Sequence, residues 1–197
     1  MLRHRLCFLS TPVPVALVIL FSGSPFIPPF NSFAFSCYSA LMLRTIEFLC
    51  LGLWLGSDVF LSFVVAPGAF RVLGSRDAAG AMVGFALGRM HLLGVVCGIV
   101  FFLARLARTR TFASFVAPVA LCVVLMIALT VASQVGVSPR MATLRVQMGS
   151  IQATAQDSPL LVEFGRLHRV SVLLESGVLL AGVAAFYFMV RELSAGR

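Results

Sequence analysis

The sequence predicts an all-α integral membrane protein: an antiparallel bundle of four transmembrane helices, with a short amphipathic helix between the third and the fourth. Three observations carry that expectation. Four separate runs of about twenty mostly apolar residues are each long enough to cross the hydrocarbon of a bilayer. Of the 197 residues 60% are hydrophobic and only 11% charged, with a mean hydropathy of +1.03. That is more apolar surface than a water-soluble domain of this length can hide. The breaks between the runs carry arginine, proline and glycine.

The spans are expected at about 45–66, 83–104, 111–133 and 168–190. After the first, Pro67, Gly68, Gly74, Ser75 and Arg76 break the apolar run, and Asp77 is the expected cap of a long second helix. Only Arg105-Leu-Ala-Arg-Thr-Arg110 separates the second span from the third, a tight basic turn that makes the two antiparallel neighbours. After the third span, Met141, Leu144 and Met148 recur at helical spacing while Arg140, Arg145 and Gln147 face elsewhere, the pattern of a short helix lying at the interface.

Residues 42–193 thus form the transmembrane domain, and residues 1–41 do not fit the plan. Three readings of that extension stand side by side: a signal-like leader with a basic start and an apolar stretch from Pro12 to Phe21, an additional span, or a natural start at Met42, where Met-Leu-Arg-Thr leads straight into the first span. The start at Met42 is preferred, with residues 1–41 expected to be poorly ordered.

The net charge of +8 comes with fifteen arginines and no lysine. They flank the apolar runs instead of alternating with aromatics on a polar surface, which fits a juxtamembrane role and excludes nucleic acid as a partner. Arg105, Arg108 and Arg110, together with Arg44, Arg191 and Arg197, place both ends of the four-helix core in the cytoplasm of a bacterial inner membrane. The expected partners are the lipid bilayer and either a second copy of the chain or another membrane protein. Cys7, Cys37, Cys50, Cys97 and Cys122 show no C-x-x-C spacing, so neither a zinc site nor a disulfide framework is expected.

Ionisable residues inside apolar spans are costly and call for a reason. Asp58 in the first span, His91 in the second and Glu175 in the fourth all fall roughly 10–12 Å below the outer end of their helices, at a rise of 1.5 Å per residue. Arg89, His168 and Arg169 lie just above them as a polar rim. Glu47 shares a face with Asp58, eleven residues on, but sits one turn from a helix end. His91 also belongs to a stripe of small residues, Gly80, Gly84, Gly88, Gly94 and Gly98. With Gly52 and Gly56 on the first span, these glycines are expected to let helices approach closely in lipid.

The chain resembles the family related to transmembrane protein 205, small integral membrane proteins catalogued in bacteria as a membrane domain of unknown function. The likeness covers about residues 42–190. It rests on Trp54-Leu-Gly56 and Phe63-Val-Val-Ala-Pro67 with Phe70, on Ala79-Gly80 and His91, on Pro139-Arg140, and on Phe164-Gly-Arg-Leu-His168-Arg-Val-Ser171. It implies four membrane helices, a start near Met42, and His91 and the His168/Ser171 segment as signature positions, with no settled activity. Some relatives carry a histidine where this chain has Glu47.

Two functions follow. The first is a non-enzymatic carrier, permeation pathway or accessory subunit whose acid and imidazole groups bind a cation or relay protons. The alternative is a haem b-binding oxidoreductase with His91 and His168 as axial ligands, although the two differ in depth by roughly 10 Å. Intramembrane metal hydrolysis is disfavoured because no H-E-x-x-H motif occurs.

Overall fold

The computed structural model describes residues 30–195, with side chains from Tyr38 onward. The leader-like features of residues 1–29, and Arg197 at the other end, lie outside the described residues. The described residues form no strand, and their helices are α1 (Phe30–Phe60), α2 (Ala66–Val72), α3 (Arg76–Thr109), α4 (Pro118–Ala132), α5 (Ser138–Met148) and α6 (Pro159–Ala195). Helix α1 begins upstream of Met42, at Phe30.

Four stretches are long and apolar enough to cross a membrane: Tyr38–Val72, Arg76–Thr109, Pro118–Met148 and Pro159–Ala195. In each, less than half of the most apolar window is buried inside the protein, from 22% to 44%. Leu103, Phe85, Leu173 and Leu180 are among the large apolar side chains facing outward. A lipid bilayer is the environment that suits such a surface.

The first and third stretches run past the ends expected at residues 66 and 133, and past the prolines that follow them. A π turn, Leu61–Val65, joins α1 to α2, and in it the Ala66 N–H bonds Leu61 O, five residues back. Pro67 follows directly. A proline lacks the amide hydrogen and crowds the carbonyl four residues before it, and one turn of wider pitch relieves both problems without stopping the helix. The same device, Ser133–Val137 with Ser138 N–H to Ser133 O, carries α4 past Pro139 into α5. The expected interfacial helix is therefore a continuation of the third stretch.

Two further boundaries differ from expectation. Ser75, not Asp77, caps α3, its side chain accepting from the Ala78 N–H. Asp77 instead accepts from Ser150 Oγ at 2.6 Å and from the Ile151 N–H at 2.7 Å, fastening the loop after α5 to the start of α3. At the other end α3 runs to Thr109 and stops where Arg110 adopts a left-handed φ of 52°. A 3-10 turn, Phe112–Val116, then leads to α4. Arg105 and Arg108, read from sequence as part of a turn, are helical residues.

All four stretches contribute to one core. Leu51 and Trp54 from α1, Phe101 from α3, Val123 and Met126 from α4, and Val178 and Ala185 from α6 are buried together. Helix α1 packs most extensively on α3, and α4 on α6. A smaller cluster, Val137, Leu144 and Leu167, seats α5 against α6.

Candidate functional site

His91, in the middle of α3, is 2% exposed. Its Nε2 lies 3.0 Å from Glu175 Oε2 on α6, and its Nδ1 lies 2.9 Å from Gln134 Oε1 in the π turn after α4. With the Gln134 oxygen and an ionised Glu175 as acceptors, a charged ring donating from both nitrogens satisfies the two contacts. In that state the ring faces a carboxylate across a buried helix interface, where breaking the pair is costly.

Asp58 on α1 belongs to the same layer. It is buried, accepts from Ser62 Oγ at 3.3 Å through Oδ1, and is close enough to Glu175 and His91 to interact electrostatically with both. Its Oδ2 has no hydrogen-bond partner, and neither do Glu175 Oε1, Thr130 Oγ or Trp54 Nε1. Buried polar atoms left unpaired cost stability.

A groove of about 360 Å³ reaches this layer between α3 and the third stretch. Gly88, His91, Thr130 and Gln134 supply its polar floor, with Leu92, Val95, Val131 and Val135 around them. It touches His91 on the Gln134 side, while the opposite nitrogen points to Glu175.

The structure therefore joins His91 and Glu175 directly and places Asp58 beside them. Arg89, His168 and Arg169, the expected rim, are exposed, and among the described residues no hydrogen bond ties them to the cluster. Arg89 instead stacks its guanidinium 5.2 Å above the Phe85 ring. Gln134 was missed because the sequence ended the third span at residue 133, and the π turn keeps it helical. The signal was present in Pro139, read as the opening of a new helix.

A second polar layer lies toward the α3 C-terminus. Glu47, 1% exposed, accepts from Arg108 Nε at 2.6 Å and from Arg105 Nη1 at 3.4 Å. Arg105 also holds Glu192 and donates from Nε to Ser114 O at 3.1 Å. Glu47 is thus an interior counterion, a role its place near a helix end did not announce.

The glycines divide. A side chain on Gly94 would collide with the Trp54 indole, and a Cβ on Gly98 would meet Ile127 at 2.8 Å. One on Gly80 would meet Arg145 at 2.8 Å, on Gly84 the same arginine at 3.5 Å, and on Gly88 the Gln134 amide at 3.9 Å. At Gly52 and Gly56, where close helix contact was expected, a Cβ would meet nothing within 4 Å.

Among the described residues no three His, Cys, Asp or Glu side chains stand close enough together to hold a metal ion. The profile of a domain of unknown function, DUF4149, matches residues 49–150, just over half of the 197-residue chain. The chain belongs to the DUF4149 family. The DUF4149 match takes in Asp58, His91, Thr130 and Gln134, whereas Glu47, Glu175 and Glu192 lie outside it. No curated protein and no solved structure matches the chain.

Proposed function

We propose that this DUF4149 protein is an integral membrane protein, similar to the transmembrane protein 205-like family, in which an antiparallel four-helix bundle carries a proton-handling cluster of His91, Glu175 and Asp58. The reading makes it a carrier, permeation pathway or accessory subunit of a bacterial inner membrane, with both ends of the helical core cytoplasmic, and not an enzyme. The observation that supports it is the bonding of His91: one ring nitrogen faces a groove through Gln134 and the other faces a carboxylate.

Imidazole titrates near a pKa of about 6.5 in water, so it loads and unloads protons within the physiological range. Transfer of the Nε2 proton to Glu175 Oε2 neutralises both partners. The pair resets when Glu175 releases that proton and the ring turns to bring its bare nitrogen to the groove, where it takes up another. A larger cation finds less support, because the groove floor offers an imidazolium and neutral groups in place of a ring of oxygens.

Haem ligation fits the geometry poorly. An axial nitrogen must present its lone pair to iron, and both nitrogens of His91 are already engaged. His168 is exposed, with no hydrogen bond to the cluster among the described residues. Reconstitution into vesicles loaded with a pH-sensitive dye tests the reading. Native protein is expected to pass protons and His91→Ala to lose that flux, and equal flux from both would overturn it. A Soret band in the purified protein would instead revive the haem reading.

A further inference from the structure

Two helix pairs in this chain share one register. Adding 72 to residue numbers carries α1 and α2 onto α4 and α5: the π turn Leu61–Val65 lands on Ser133–Val137, and Pro67 on Pro139. The buried Leu51, Trp54, Asp58 and Leu61 land on the buried Val123, Met126, Thr130 and Ser133. Adding 84 relates α3 to α6 in the same way: buried Gly94, Cys97, Gly98 and Phe101 land on buried Val178, Ala181, Gly182 and Ala185.

The contacts obey the same relation. A Cβ on Gly98 would meet Ile127 at 2.8 Å and Trp54 at 3.1 Å, while a Cβ on Gly182 would meet Leu55 at 2.9 Å and Met126 at 3.2 Å. Leu55 and Met126 are the counterparts of Ile127 and Trp54 under the offset of 72. Helix α1 also packs on α3 as α4 packs on α6. The fold is a helix pair used twice about an internal pseudo-two-fold.

Under that relation His91 and Glu175 are counterparts, and their bond joins equivalent points of the two halves. Thr130 corresponds to Asp58, and Gln134 to Ser62. Across the two-fold, His91, Thr130 and Gln134 gather imidazole, hydroxyl and amide, and their counterparts Glu175, Asp58 and Ser62 gather two carboxyl groups and a hydroxyl, each set drawing on both halves. Asp58 Oδ2 and Glu175 Oε1 are both buried without a partner. One imidazolium balances one carboxylate. The groups acting on Asp58 are Glu175 of α6, His91 of α3 and Ser62 of its own stretch, with no arginine among them. A second carboxylate, 1% exposed and otherwise uncompensated, would cost several kcal/mol.

We propose that Asp58, Ser62 and the free oxygen of Glu175 form a second proton-binding station, the two-fold counterpart of the station made by Thr130, Gln134 and His91. A proton adds to the unpartnered oxygen of Asp58 and leaves it as H⁺, with no other bond changed. Passage between the stations through the His91–Glu175 bond rests on the proton-handling reading above, whereas the bound proton at Asp58 does not.

Infrared spectroscopy of the full chain in lipid vesicles at neutral pH tests the station. The expected result is the carbonyl stretch of a protonated carboxylic acid, shifted in D₂O, lost in Asp58→Asn and kept in the exposed-site control Glu163→Gln. No such band in the native protein, or an unaltered band in Asp58→Asn, would overturn the proposal. Should Asp58→Asn fail to fold, Ser62→Ala removes the donor to Asp58 and is expected to shift the band, and an unshifted band counts against the station. The exchange His91→Glu with Glu175→His tests the two-fold: the double variant is expected to melt closer to the native protein than either single variant, and no such rescue overturns the relation. A native protein showing the acid band but no proton flux supports the station and overturns only the transport reading.

Discussion

Arg105 of α3 clasps Glu192 of α6 through two hydrogen bonds, Nη2 to Oε1 at 2.8 Å and Nη1 to Oε2 at 3.3 Å, while Nη1 also reaches Glu47 Oε2 at 3.4 Å. One guanidinium thereby ties three helices at the end of the bundle opposite the Asp77 fastening. Its fork can satisfy two carboxylates at once, which an ammonium group could not do with the same geometry.

Removing that guanidinium leaves Glu47, whose side chain is 1% exposed, with Arg108 as its remaining partner. Arg105→Ala is expected to cost about 1.5–3 kcal/mol in reversible unfolding from mixed micelles. Glu192 has a side chain 32% exposed, so Glu192→Gln is expected to cost about 1 kcal/mol or less. Equal costs for the two would show that Glu47 does not depend on Arg105.

Substitutions at the glycines separate those that admit a neighbour from those that do not. Gly94→Ala and Gly98→Ala push against Trp54 and Ile127 and are expected to lose about 1–3 kcal/mol. Gly52→Ala and Gly56→Ala meet open space and gain helix propensity, for a change between zero and about 1 kcal/mol in the stabilising direction. Thermal melts of the four variants in one detergent provide the comparison, and a large loss at Gly52 or Gly56 would reveal a partner helix from another chain.

Asp77 holds the Ser150 hydroxyl and the Ile151 amide, so Asp77→Ala frees the loop between α5 and α6. A modest loss of stability is expected. Limited proteolysis should cut near residues 149–158 sooner than in the native protein, and an unchanged digestion pattern would mean the loop is held by other contacts.

Alanine at Arg89, His168 or Arg169 is expected to leave unfolding within about 0.5 kcal/mol of native, because all three are exposed. Proton flux into vesicles should be equally unaffected. A loss of flux at His168 would return that histidine to the pathway.

The four stretches and the meeting of His91 with Glu175 were legible because a residue in lipid has few choices. Apolar length defines a span, and a rise of 1.5 Å per residue fixes relative depth. What escaped was local. Pro67 was read as a break and Pro139 as the opening of a separate short helix, and a π turn before each supplied the space a proline needs inside a continuous one. That error hid Gln134. Arg105 and Arg108 were read by charge count as facing the cytoplasm, but counting charge says nothing about which carboxylates turn inward to meet them. Arg89, His168 and Arg169 are exposed and do not bond to the cluster among the described residues, for depth along an axis does not fix the side of the helix on which a residue points.

The Gln134 amide has two different ends, and His91 selects between them. A charged ring needs the amide oxygen, which turns the NH₂ toward the groove, whereas a ring that has lost its Nδ1 proton is served by the NH₂ and turns the oxygen outward. The floor of the groove therefore changes from hydrogen-bond donor to acceptor when the nitrogen facing Gln134 gives up its proton. Any molecule resting there that prefers one face of the amide also biases the charge of the ring, by the same free energy with which the ring biases its binding.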